Sequence, residues 1–181
     1  MFLSVYSEGV ELSKILVARG DDLGFIKVVG RGSFQNSGCL KAFYQQLLKE
    51  GVRRFVVDLE KCTYLDSTFL GILLGLGLKL KDAGNGLLHI LNASPRNLEL
   101  LKNLGLDRLI QLESPRAKLN GVAESQLEEV NCPTPSRAEA APTILEAHET
   151  LMEFDPRNIP KFKDVVEFLR EDLGHPAVNG K

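Results

Sequence analysis

The sequence predicts an α/β fold: a mixed, largely parallel β-sheet with helices packed on it, followed by a C-terminal α-hairpin. Three observations predict it. Short, β-branched apolar segments alternate with segments of helical spacing between residues 14 and 112, the pattern of strands joined by crossover helices. Two of the strand segments, Arg-Phe-Val-Val-Asp at 54–58 and Leu-Leu-His-Ile-Leu at 87–91, have continuous apolar centres, as strands covered on both faces do. Past residue 113 the composition changes, and an apolar stripe at helical spacing reappears near the end of the chain.

The elements follow in order. Lys-Ile-Leu-Val-Ala-Arg at 14–19 and Phe-Ile-Lys-Val-Val at 25–29 are strand segments separated by a Gly/Asp turn at 20–24. A loop spans 30–38, and a helix is expected over 39–50, where Leu40, Phe43, Tyr44, Leu47 and Leu48 recur at helical spacing before Gly51. The strand at 54–58 comes next, then a helix over 67–83, ended by Gly84, Asn85 and Gly86, residue types that accept the left-handed backbone of a helix terminus. After the strand at 87–91, Pro95 opens a helix through Leu104, and Leu-Ile-Gln-Leu at 109–112 is a short closing strand. The order is β-β-α-β-α-β-α-β. A Pro-, Ser-, Ala- and Glu-rich stretch follows. Two helices come last, one around 144–152 and one carrying Phe162, Val165, Val166, Leu169 and Leu173 at i, i+3, i+4, i+7 and i+11, with a break at 155–160. The organisation is a domain over 1–113, a flexible linker over 114–137, a helical hairpin over 138–173 and a frayed tail over 174–181.

Composition narrows the function classes. Apolar residues make up 44% and charged residues 25% of 181, with a formal net charge of -2. That supports a sizeable core, and it argues against a surface built to neutralise phosphates of nucleic acid. The longest apolar run, 69–78, is about half of the ~20 residues a membrane-spanning helix needs. No charged n-region precedes a long apolar stretch at the start, so no signal peptide is expected. Cys39, Cys62 and Cys132 lack metal-ligand or redox spacing and read as reduced thiols of a cytoplasmic protein. His89, His148 and His175 form no ligand pattern, and no Ser–His or Cys–His constellation can be assembled from the linear order. Neither a metal nor a cofactor is expected, and no catalytic residue is assigned.

The stretch Cys-Thr-Tyr-Leu-Asp-Ser-Thr-Phe-Leu-Gly at 62–71 carries the chemistry. Asp66, Ser67 and Thr68 stand between an apolar approach and a nearly unbroken apolar helix. One reading is a helix N-cap, in which Asp66 or Ser67 accepts hydrogen bonds from first-turn amides. The same free amides and the helix dipole also favour a phosphate on a first-turn serine. The helix behind is apolar on nearly every side: either it is buried in a large core, or one edge remains an apolar patch for a partner. Asp58 and Asp66 form an acidic pair of the kind some phosphoryl-transfer sites use, but no lysine or further acid falls at a supporting spacing nearby.

The element order, together with Val-Val-Asp-Leu at 56–59, Tyr-Leu-Asp-Ser-Thr at 64–68 and Gly71, resembles the STAS domain family, in its anti-sigma-factor-antagonist form. Members read D-L-x(4)-(Y/F)-(I/M)-D-S-(S/T)-G-(L/I)-G across this junction; here residues 58–71 read D-L-E-K-C-T-Y-L-D-S-T-F-L-G. Leu-Lys-Asn-Leu-Gly-Leu at 101–106 is similar to the family's turn after its third helix. The resemblance covers about residues 10–113. It implies a STAS-like fold and a non-catalytic regulatory module. Ser67 would be phosphorylated by a partner anti-sigma serine kinase, the unmodified form would bind the anti-sigma factor, and Asp66, Thr68, Phe69 and Ser33 would contact the partner. Two positions depart from the family: Phe69 stands where glycine is usual, and Ser33 where aspartate is common. The alternative is a constitutive STAS scaffold that binds partners through the domain surface and the C-terminal helices, through which two copies could also pair.

Overall fold

The computed structural model describes residues 13–112 and 124–174. Its strands are β1 (Lys14–Arg19), β2 (Leu23–Gly32), β3 (Arg54–Asp58), β4 (Cys62–Leu65), β5 (Leu87–Leu91), β6 (Gln111–Leu112) and β7 (Glu128–Glu129). The helices are α1 (Phe34–Lys49), α2 (Ser67–Asp82), α3 (Pro95–Asn103), α4 (Arg137–Phe154) and α5 (Ile159–Asp172). The sheet runs β6-β5-β3-β2-β1-β7, with β4 paired to the far end of β2. β2–β3, β3–β5 and β5–β6 are parallel, and β1 is antiparallel to both its neighbours. The expected mixed, mostly parallel α/β fold with a C-terminal α-hairpin is therefore present.

Strand alternation sorts the sheet into two faces. Ile15, Val17, Ile26, Val28, Phe55, Val57, Leu88 and Ile90 meet the inner residues of α1 and α2 in the main core. On the opposite face Ala18, Phe25, Val56 and Leu91 form a smaller cluster, joined by Leu127. The apolar character of α2 all round now has a cause. One side lies on the sheet, and α4 covers another, so that Ala147 and Leu151 of α4 belong to the same core as Leu70, Leu73 and Leu74. The hairpin's own stripe closes between its helices, where Ala141 and Leu145 meet Val166 and Leu169.

Several expectations differ in detail. α1 starts at Phe34 instead of 39, because Ser33 and Asn36 form a reciprocal capping box over residues that look loop-forming in isolation. β4 escapes the sequence pattern because it is four residues long and pairs only with the end of β2, past an irregularity at Gly30 and Arg31. Of the linker expected over 114–137, residues 114–123 lie outside the described residues, while β7 adds an ordered edge to β1. Residues 175–181 of the expected tail are likewise outside them. Two of the cysteines that look scattered in sequence are neighbours in space: Cys39 on α1 and Cys132, just before α4, have their Cα atoms 5.7 Å apart. They are separated by 93 residues, so no local spacing announces them. Cys62 remains a free, buried thiol.

Two contacts seat the hairpin. Gly71 of α2 touches the α4 backbone: a Cβ there would stand 2.4 Å from the Ala147 carbonyl oxygen and 2.7 Å from the Ala147 Cβ. At the turn between α4 and α5, buried Asp155 accepts from the Arg157 amide and guanidinium and from Arg108 Nη2 at 2.6 Å. The hydrogen bonds from Arg157, with the charges of Arg108 and Arg157, hold the Asp155 carboxyl down at about 2.

Gly71→Ala is expected to lower stability by about 1–3 kcal/mol through overpacking, read as a lower urea midpoint with an unchanged slope. Because the folded-state pKa of Asp155 lies below its ordinary value, its contribution is complete above the ordinary carboxylate range and is lost as pH falls toward about 2. Melting temperature should therefore decline on acidification below about pH 4, and less steeply in Asp155→Asn, which is already weaker at neutral pH.

Candidate functional site

The Asp66–Ser67–Thr68 junction lies where β4 delivers the chain to α2. Asp66 N–H donates to the Gly32 carbonyl at 3.0 Å, which pins the start of α2 beside the end of β2 and the start of α1. The Asp66 carboxylate then serves both helices: Oδ1 accepts from Phe69 N at 2.9 Å, and Oδ2 accepts from Phe34 N at 2.8 Å. Asp66 is thus the N-cap of α2 and also holds the first amide of α1. A carboxylate facing two positive helix ends is favourably placed. Ser67 is the first residue of α2 and is half-buried.

The structure assembles a Ser–His pair that linear order does not show. Ser67 Oγ lies 2.8 Å from His148 Nε2, and His148 Nδ1 lies 2.8 Å from the Ile144 carbonyl oxygen. A carbonyl can only accept, so Nδ1 carries the proton, Nε2 is the acceptor, and the Ser67 hydroxyl donates to it. Burial pushes the imidazole below its ordinary value, against the opposing pull of the Ile144 carbonyl and the Asp66 carboxylate. His148 also packs on the Phe162 ring of α5, centroids 4.8 Å apart. In the linear sequence His148 belongs to no ligand pattern. The available signal was its place in the stripe Ile144, Ala147, His148 and Leu151, at i, i+3, i+4 and i+7; what lies opposite that stripe is a tertiary fact.

Beside Ser67 opens a cleft of about 470 Å³, lined by Leu65, Leu70, Leu100 and Leu104 with Lys161 and Phe162 of α5. Lys161 Nζ donates to the Asn103 carbonyl at 2.8 Å and so ties α5 to the end of α3. Ser67 is itself one of the lining residues. Of the other residues expected to face a partner, Phe69 is fully buried, and Thr68 and Ser33 are buried at 4% and 6% exposure. The Phe69 ring packs inward near Gly32 and Leu65, and Ser33 is committed to capping α1. None of the three presents a surface in this conformation, because each is needed where strand and helix ends converge.

Asp58 is separate from this site. It is buried, 3.5 Å from Lys27 Nζ, and accepts from Asn92 Nδ2 at 2.9 Å and from the Glu60 amide at 3.0 Å. Lys27 is the supporting cation that sequence proximity did not offer; strand register places it directly opposite Asp58. Among the described residues no group of three or more metal-ligating side chains converges, and no helix is long and apolar enough to cross a membrane.

A mixed sheet with two helices on one face, and an Asp-capped serine opening the second of them, defines a small α/β domain. The STAS-domain family model of the Mlab type matches residues 15–112, more than half of the chain. The chain belongs to the STAS domain family and carries a C-terminal helical extension beyond it. Among solved structures it is similar to the Thermotoga maritima protein TM1081, a putative anti-sigma factor antagonist, at 17% identity and a TM-score of 0.50, over 55% of this chain and 79% of that one. It is also similar to an anti-sigma factor antagonist from Mycobacterium paratuberculosis, at 21% identity and a TM-score of 0.49, over 56% and 85%. The phosphorylated form of the Bacillus cell-fate determinant SpoIIAA matches at 18% identity and a TM-score of 0.47, over 56% and 91%.

Asp66→Ala removes caps from two helices at once and should lower unfolding stability by roughly 1–3 kcal/mol, about twice a single cap's effect. Asp66→Asn, which keeps an acceptor oxygen, should recover part of it in the same urea titration.

Proposed function

We propose that this chain is an anti-sigma-factor-antagonist-like regulatory module, in which Ser67 accepts phosphate from a partner serine kinase. The observation that carries the reading is the position of Ser67: it is the first residue of a sixteen-residue helix, directly after the Asp66 cap, within the STAS match. Added charge there meets the positive end of α2, so phosphate alters the surface without melting the helix. In this reading the unmodified form binds an anti-sigma factor or related regulatory protein in the cytoplasm, and the phosphorylated form releases it. The module acts by binding rather than by turnover. Phe69 is compatible with it, because its ring points into the core.

A specific observation favours the scaffold alternative: the Ser67 hydroxyl already has an intramolecular partner, His148. In that case Ser67 starts the helix and fastens the hairpin, and partners bind elsewhere on the surface.

Incubation with ATP and the cognate kinase, followed by peptide mapping, should place phosphate on Ser67 and give none in Ser67→Ala. Binding to the partner should fall at least tenfold in Ser67→Asp. A Ser67→Asp chain that binds as well as the wild type would establish the scaffold reading in its place.

A further inference from the structure

α4 behaves as a ligand of the STAS domain. Along α2, Ser67 and Gly71 are one turn apart and share a face. Along α4, Ala147 and His148 meet them: the Ala147 backbone occupies the notch at Gly71, and the His148 ring reaches the Ser67 hydroxyl. Glu146 adds an ion pair to Lys41 of α1. The contact therefore has a small residue at the crossing, a hydrogen bond at one end and a charge pair on the flank. Such features define a receiving site for a helix.

We propose that the Gly71 groove of α2 is a helix-receiving interaction surface, held in the unmodified chain by its own α4 and vacated when Ser67 carries a phosphate. The partner it fits is a protein helix with alanine or glycine at the crossing point and an acidic residue turned toward Lys41. The inference rests on Ser67 as the phosphoacceptor for its natural trigger, though the groove itself does not depend on that reading.

The physical reason for release is steric and local, at the contact that α4 makes with the Ser67 hydroxyl. His148 Nε2 already sits at hydrogen-bond distance from Oγ, where a phosphoryl group would add a phosphorus and three oxygens. Phe162 packs on the ring, and Ala147, the preceding residue, is seated on Gly71. Burial disfavours the charged form of the ring, against the opposing pull of the Ile144 carbonyl and the Asp66 carboxylate. A phosphate kept under the ring would be held toward the Asp66 carboxylate, whereas release of α4 leaves it to the free amides that open α2. Release need not detach the chain: the pairing of β7 with β1 and the contact of Cys132 with Cys39 hold the segment before α4 to the domain. Leaving the groove uncovers the apolar side of α2 to an incoming helix that repeats the α4 pattern.

Hydrogen exchange on the full chain tests the coupling without any kinase. Ser67→Glu should speed exchange of the amides of residues 137–154 at least a hundredfold while those of β2 and β3 keep their protection; Ser67→Ala should change them less than tenfold. Ala147→Leu, a change outside the STAS domain that leaves Ser67 intact, should release α4 in the same way. A synthetic peptide of residues 137–154 should then bind the Ala147→Leu chain, and should not bind the Ala147→Leu, Ser67→Glu double variant. Unchanged or slower α4 exchange in Ser67→Glu, as from a new His148–carboxylate pair, overturns the proposal, and so does a vacated groove that ignores the peptide. Failure of the kinase to modify Ser67 would instead remove the phosphoacceptor reading and leave these outcomes standing.

Discussion

The arrangement of this protein turns on one close approach, where α4 lays its Ala147 backbone on Gly71 of α2. Two helices come this near only where one of them lacks a side chain. Once that crossing is set, helical geometry places the neighbours: Ser67 lies one turn before Gly71, and His148 is the residue after Ala147. The 2.8 Å contact between hydroxyl and imidazole therefore follows from the packing. So does the burial of α2, whose outer side would be an apolar surface facing water without α4.

A second constraint acts at the same end of α2. The Asp66 carboxylate receives amides from the first turns of both α1 and α2. It thereby joins the end of β2, the end of β4 and two helix starts in one electrostatic arrangement. Ser67 inherits its position from that arrangement. A serine one residue further along the helix would point elsewhere, and one before the cap would lose the helix end. The functional reading and the capping reading of this segment are thus consequences of the same free amides.

The STAS fold was legible because its signals are local. The apolar centres at 54–58 and 87–91, the Gly84–Gly86 stop and the Asp-Ser-Thr junction each depend on a few consecutive residues and emerge where expected. The start of α1 was not legible, since Phe-Gln-Asn-Ser-Gly has weak helix propensity and becomes helical through the Ser33–Asn36 capping box and the Asp66 bond to Phe34 N. β4 and β7 were too short to carry a pattern and exist because β2 and β1 offer them partners. The burial of Thr68, Phe69 and Ser33 was hidden for a similar reason: a polar or aromatic residue beside a motif looks surface-facing until the strand ends that enclose it are placed.

By itself the sequence determined the order of the longer elements, the apolar stripe of the last helices and the serine that opens α2, because hydrophobic period and capping chemistry are written in neighbouring residues. Only the tertiary structure decided what faces that serine. His148 stands 81 residues away, and Cys39 meets Cys132 across 93. No spacing rule spans such distances, since the chain between them is free to return anywhere until the Gly71 crossing and the hairpin turn select one arrangement.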